Sequence, residues 1–145
     1  MRFVRPSHPR AIGALVPILV LALLGGCASL RGPACPAGQS RATLAQLMFG
    51  RAITGGGQVS EDDWRAFLDE EVAPRFPDGL TVVDAGGQWR GKAGAVIKEP
   101  SKVLMLLMPG DRDEAAKLDA VREAYKARFR QESVLLITQP VCAAF

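Results

Sequence analysis

Histidine is almost absent from this chain of 145 residues, and the only one is His8. His8 lies in an N-terminal stretch that has the features of a removable signal, so the mature protein would contain no imidazole. Catalytic sets of the Ser-His-Asp or Cys-His type, and metal sites with histidine ligands, are therefore excluded for the mature chain. We expect neither a metal nor a cofactor.

An excess of charge is also lacking once the N-terminus is set aside. The formal net charge is +3, but Arg2, Arg5 and Arg10 all lie in the first ten residues. Without them, 15 basic side chains remain against 15 acidic ones. A neutral domain has no electrostatic footprint for nucleic acid, so we expect no nucleic-acid partner.

Residues 1–26 resemble a bacterial lipoprotein signal peptide. A basic start precedes the uncharged segment 11–24, and Gly25 and Gly26 lead to Cys27. In such signals the cysteine receives acyl chains, such as palmitate, and becomes the first mature residue. Each buried methylene of an acyl chain adds about 0.8 kcal/mol of membrane affinity. We predict lipidation at Cys27, export, and attachment to a membrane with the domain facing the periplasm or exterior. The alternative is an uncleaved anchor over 11–30, which is just long enough to span a bilayer.

Two further cysteines, Cys35 and Cys142, remain after lipidation. Because an exported domain meets an oxidising compartment, we predict a disulfide between them. The alternative is a free nucleophilic thiol. Residues 27–41 contain Pro, Gly and Ser without a period, so they are interpreted as the lipidated N-terminus and a linker. Residues 42–145 then form one domain.

Hydrophobic periodicity predicts strands and helices in the order β-α-β-β-α-β. Strands are expected from Leu44, over 80–85 with a break at Gly86-Gly87 before 88–90, over 96–97 and 102–108, and over 133–138. One helix is expected after the N-cap Ser60 and ends before Pro74. The second helix is expected to begin with a capping box at Asp111 and Glu114 and to bury four side chains: Leu118, Val121, Tyr125 and Phe129. This order predicts an α+β, ferredoxin-like split βαβ fold, with a four-stranded antiparallel sheet and two helices on one face.

The segments 103–108 and 134–137 are apolar at consecutive positions, which predicts strands that are covered on both faces. The two helices cover only one face. We predict that a second copy of the chain covers the other, making a homodimer. The alternatives are the linker folding back, the membrane surface, a partner lipoprotein, or an error of one residue in strand register.

A polar group around the second strand is the best candidate for a ligand pocket. It consists of six residues: Arg51, Asp84, Gln88, Trp89, Arg90 and Glu99. A carboxylate beside an arginine and an aromatic ring can bind a small ligand or transfer a proton. The alternative is a turn carboxylate, a capping tryptophan and a surface ion pair, which contribute little. Gly55-Gly56-Gly57 lacks the Lys-Ser/Thr pair of a phosphate loop and is interpreted as a strand-to-helix loop.

Several segments resemble one bacterial family, the domain-of-unknown-function 3574 family. The most specific is the run PRFPDGLTV at 74–82, and others are FGR at 49–51, GQWR at 87–90, SKV at 101–103 and QESV at 131–134. The resemblance runs from about Leu44 to the C-terminus. It implies an exported, often lipid-anchored small α+β domain, and it implies no particular activity.

These observations together predict a membrane-anchored cell-envelope lipoprotein whose domain is a non-catalytic interaction or small-ligand-binding module. The alternative hypothesis is a small histidine-free enzyme, with Asp84 as proton acceptor and Arg51 as anion clamp.

Overall fold

The computed structural model describes residues 34–91 and 93–144. The folded unit spans Cys35–Phe145 and contains every described strand and helix, the core and the disulfide. It therefore has its own core, as a domain that folds independently requires. The predicted signal peptide and Cys27 lie outside the described residues. No helix of the described part is long and apolar enough to cross a membrane.

Four strands and two helices follow one another in the predicted order, β-α-β-β-α-β. The strands are β1 (Ser40–Gly50), β2 (Thr81–Arg90), β3 (Val96–Met108) and β4 (Leu135–Ala143). The helices are α1 (Glu61–Phe67), which continues into a π-helical turn (Leu68–Val72), and α2 (Glu114–Phe129). The sheet order is β2-β3-β1-β4, and all neighbouring strands are antiparallel. This confirms the ferredoxin-like split βαβ fold.

Strand register assigns alternate side chains to the two faces of the sheet. Leu47 pairs with Leu104 and Leu136, and this row faces the helices. Met48, the next residue, pairs with Val103 and Leu135 on the opposite side, which we call the open face. The open face also includes three further rows of β1, β3 and β4: Ala42 with Val141; Leu44 with Leu107 and Gln139; and Gln46 with Met105 and Ile137.

An aromatic cluster fills the core between the sheet and the helices. Phe49 of β1 contacts Trp64, Phe67 and Tyr125, with ring centroids 4.7–5.9 Å apart, and Phe129 extends the cluster along α2. Tyr125 also donates a hydrogen bond of 2.9 Å from its hydroxyl to the Gly50 carbonyl oxygen. The predicted stripe of α2 is confirmed, because all four of its members are buried.

Of the two predicted helix starts, the first is confirmed and the second is wrong. Ser60 is the N-cap of α1 and accepts a hydrogen bond of 3.0 Å from Asp63 N–H, as predicted. The predicted capping box at Asp111 is wrong, because α2 has Asp113 as its N-cap without a side-chain cap bond. Glu114 instead accepts a hydrogen bond of 2.8 Å from Gly110 N–H, which links the first residue of α2 to the loop that follows β3.

The strands are longer than the sequence predicted. The expected break at Gly86-Gly87 does not occur. All residues of β2 pair with β3, and this pairing keeps both glycines in the strand. β3 is also continuous through Pro100. β1 begins at Ser40, inside the segment assigned to the linker. Pro140 lies within β4, which is an edge strand, where a missing N–H is tolerated.

Candidate functional site

A disulfide joins the start of the folded unit to its last strand. Cys35 and Cys142 are bonded with an S–S distance of 2.09 Å and a Cα–Cα distance of 5.5 Å. Cys35 lies five residues before β1, and Cys142 pairs with Arg41 across the β1–β4 ladder. The predicted disulfide is confirmed.

A network of four charged side chains ties α1 to the helix side of the sheet. The buried Arg51 donates from Nε to the Val59 carbonyl oxygen at 2.8 Å and from Nη1 to a carboxylate oxygen of Glu61. The buried Lys102 donates from Nζ to the second Glu61 oxygen at 2.8 Å and to Asp84. Both buried cations therefore have carboxylate partners, and Glu61 bridges them.

The network shifts the pKa of each of its acids in the same direction. The hydrogen bond from Lys102 holds the pKa of Asp84 below its ordinary value, and it does the same for Glu61, where Arg51 adds to the effect. The hydrogen bonds to Asp84 and Glu61 raise the pKa of Lys102. All three groups therefore stay charged near neutral pH. A carboxylate of lowered pKa is a weaker proton acceptor than an ordinary one.

A second polar group lies on the open face, around Glu99. Trp89 donates from Nε1 to Glu99 Oε1 at 2.7 Å, and Ala52 donates from its backbone N–H to Glu99 Oε2 at 2.7 Å. Glu99 is only 9% exposed. A Cβ on Gly50 would lie 2.4 Å from Oε1, so this position requires glycine to leave room for the carboxylate.

Glu99 forms one wall of a cavity of about 300 Å³ on the open face, which we call the Glu99 pocket. Its walls include six side chains: Met48, Trp89, Glu99, Ser101, Gln131 and Leu135. Gly87, which pairs with Glu99, leaves the pocket open because it has no side chain. Of the nine ion pairs found among the described residues, none includes Glu99.

The structure separates the six predicted site residues into groups. Trp89 and Glu99 are hydrogen-bonded to each other, and Gln88 lines the same pocket. Arg51 and Asp84 belong to the network on the helix side and are linked through Glu61 and Lys102.

Arg90 stands apart from both groups, because it donates to the Gly94 carbonyl oxygen in the β2–β3 hairpin at 2.9 Å. Sequence reasoning missed Glu61 and Lys102. The available signal was Lys102 itself, a single cation at the start of the apolar run in β3.

A larger cavity of about 470 Å³ lies near the disulfide, between the ends of β1, β3 and β4. Its lining includes Ser40, Arg41, Leu107 and Ala143, and none of its lining residues is buried. The Glu99 pocket is the better candidate site, because a ligand there would meet a polar group that the fold holds in place. Within the described residues, no group of three or more His, Cys, Asp or Glu side chains could hold a metal ion.

The fold and its disulfide define a small α+β domain of the ferredoxin-like type, with one sheet face open. A family described as "Protein of unknown function (DUF3574)" matches residues 44–145. The chain belongs to that family, as its segments predicted.

Solved structures with the same fold include a phage SAM lyase. In complex with S-methyl-5'-thioadenosine, that protein is 15% identical with a TM-score of 0.56, over 79% of this chain and 96% of the other. In its apo state it is 16% identical with a TM-score of 0.54, over 79% and 97%. CutA from Synechococcus elongatus is 10% identical with a TM-score of 0.47, over 72% and 81%. At these identities the likeness to the lyase shows the fold alone. Among curated proteins, none matches the chain.

Proposed function

We propose that this chain is a lipid-anchored protein of the cell envelope, and that its domain acts without catalysis by association through the open face of the sheet. The partner that fits best is a second copy of the chain. The observation that carries this proposal is the apolar open face, which nothing covers within the described residues.

The two faces of the sheet differ sharply in exposure. Leu47 and Leu104 on the helix side are fully buried. On the open face, Leu135 is 57% exposed and Met48 is partly exposed. Val83 of β2 pairs with Val103, so it lies on the same face, and it is 45% exposed. Contiguous apolar surface of this kind on a sheet marks an interaction site in soluble proteins.

The chemistry of the open face favours a second copy over a charged partner. Beyond the Glu99 pocket, the described open-face positions of all four strands carry no charged side chain. Two such faces can pack together without burying a like-charged pair, whereas a strongly charged partner would find nothing to pair with.

The size of the open face suits a modest dimer. Four strands at a spacing of about 4.8 Å, over eight residues at about 3.3 Å each, cover roughly 500 Å². Two copies would bury about 1,000 Å² in total, which is near the lower limit for a specific interface. We therefore expect a dimer that dissociates on dilution.

Membrane attachment would strengthen this association. Eight Cα-to-Cα steps, with seven residues in between, lead from Cys27 to the disulfide cysteine Cys35. Fully extended, they span at most about 29 Å, so a lipid on Cys27 holds the domain close to the membrane surface. Confining two copies to one surface raises their effective concentration without any new contact.

The hypothesis of a histidine-free enzyme that uses Asp84 and Arg51 stays a prediction. Arg51 is engaged by Val59 and Glu61, and Asp84 by Lys102. No contact of either residue favours catalysis over a structural role.

Sedimentation equilibrium of the oxidised unit Cys35–Phe145 tests the association. We expect a concentration-dependent dimer that Met105→Glu abolishes, because the new carboxylates would face each other in an apolar interface. Ala120→Glu, on the exposed side of α2, is the matched control and should dimerise like the wild type. A wild-type monomer at every concentration, or equal dimerisation of a folded Met105→Glu variant, would rule the proposal out.

A further inference from the structure

The geometry of the Glu99 pocket points to a binding site for a small organic cation, an amine or other onium group that carries an apolar body. This inference goes beyond the proposed association, because it concerns one end of the open face and a ligand rather than a second chain.

Glu99 is a buried acid whose charge has no partner in the described structure. Three charged residues of the described part are buried: Arg51, Lys102 and Glu99. Arg51 and Lys102 each form an ion pair, whereas Glu99 forms none. Burying an uncompensated charge is costly, so a cation that enters the pocket would gain from pairing with this carboxylate.

The carboxylate keeps room for such a ligand. An ionised carboxylate offers about four acceptor positions, and the hydrogen bonds from Trp89 and Ala52 use two of them. Both donors are neutral, so they orient the group without neutralising it. Gly50 leaves space beside Oε1, and the two hydrogen bonds hold the carboxylate in one place before any ligand arrives.

The other walls suit the apolar part of an organic cation. Met48, Leu135 and the indole of Trp89 provide apolar and aromatic surface, and an aromatic face also attracts cations. Ser101 and Gln131 add neutral polar groups. A volume of about 300 Å³ is at the small end of ligand sites and accommodates a single-ring amine.

Other ligand classes fit the pocket less well. An anion would be repelled by the carboxylate. A hard divalent metal needs several oxygen ligands, but Glu99 is the only acid that lines the pocket, and no group of three or more metal-ligating side chains occurs among the described residues.

Two probes of nearly the same shape test the inference: benzylamine, which is cationic at neutral pH, and benzyl alcohol, which is neutral. Both are titrated into the ¹⁵N-labelled unit Cys35–Phe145, and the indole N–H signal of Trp89 is followed. We expect benzylamine to shift this signal and to bind at least about tenfold more tightly than benzyl alcohol, a difference of about 1.4 kcal/mol. Equal affinities, or no shift with benzylamine at about 10 mM, would overturn the inference.

Two variants locate the site. Glu99→Gln removes the charge and should abolish the preference for benzylamine, although its NH2 group replaces one of the two accepting oxygens, so one existing hydrogen bond is lost and the fold loses stability. Gly87→Val keeps the carboxylate and fills the pocket, since a Cβ there would make only ordinary contacts, the nearest with Ser101 Oγ at 3.6 Å. We expect this folded variant to lose benzylamine binding.

The exposed Asp69, changed to asparagine, is the charge-matched control and should bind like the wild type. Unchanged binding by folded Gly87→Val would place the ligand elsewhere and overturn the inference. Sedimentation of the same samples reports self-association separately, so failure of the dimer does not obscure the outcome for the ligand.

Discussion

Replacing Cys35 and Cys142 together with serine removes the covalent link between the start of the folded unit and its edge strand. The two cysteines are 107 residues apart in sequence, so the bond closes a loop that contains nearly the whole domain. For a loop of this size the chain-entropy treatment gives about 4.8 kcal/mol of stabilisation, and measured effects are usually smaller. We therefore expect the double variant to lose about 2 to 5 kcal/mol of unfolding free energy.

Urea unfolding of the unit Cys35–Phe145 measures this loss. The buried Trp64 lies in the aromatic core, so its fluorescence reports the global transition. With a urea dependence of about 2 kcal/mol per M, the midpoint should fall by about 1 to 2.5 M. The slope should rise slightly, because the unlinked unfolded chain exposes more surface.

The oxidised wild type treated with a reductant is the internal control, since it loses the same bond without a substitution. It should unfold at the same midpoint as the double variant. A double variant that unfolds at the wild-type midpoint with the same slope would refute the claim that the disulfide stabilises the domain.

Three further substitutions test separate parts of the account. Cys27→Ser should leave an unprocessed precursor that mass spectrometry identifies by its retained residues 1–26, and normal maturation would contradict the lipoprotein signal. Ser60→Ala removes the acceptor of Asp63 N–H and should cost about 1 kcal/mol, seen as a lower urea midpoint; an unchanged midpoint would show that the cap contributes nothing. Lys102→Met removes the hydrogen bond that lowers the pKa of Asp84, so an NMR titration should show that pKa returning toward its ordinary value. A lowered folded-state pKa adds stability above the unfolded-state pKa, and that stability is lost as pH falls through the folded-state pKa. The variant should therefore lose less stability in acid than the wild type, and an unchanged Asp84 titration would refute the role of Lys102.

Features that depend on neighbouring residues were predictable from the sequence. Ser60 caps α1 because its side chain needs only the next turn of the helix. The four buried residues of α2 follow the helical repeat, which is visible without knowledge of the fold.

Features that depend on distant partners were not predictable in the same way. Gly86 and Gly87 favour a break when considered alone, but pairing with β3 keeps them in β2. The start of α2 at Asp113 depends on how the chain leaves β3, since Glu114 bonds Gly110 instead of completing a box with Asp111.

The candidate site shows the same limit. Asp84 and Trp89 are close in sequence, but they are five positions apart in one continuous strand, so their side chains point to opposite faces. The predicted break at the glycines hid this alternation. The hydrogen bond from Lys102 to Glu61 spans 41 residues, so it depends on the register of the sheet and on the position of α1. Trp89 and Glu99 came together because the β2–β3 hairpin places them on the same face.

Native mass spectrometry of the full chain most directly tests the central claim that this is an exported, lipid-anchored domain that pairs through its open face. The chain is expressed in a bacterium with its own N-terminus and released from membranes in mild detergent. We expect a dimer of chains that begin at Cys27, carry acyl groups and contain the Cys35–Cys142 bond. A monomer that retains residues 1–26, without acyl groups and with reduced cysteines, would contradict it.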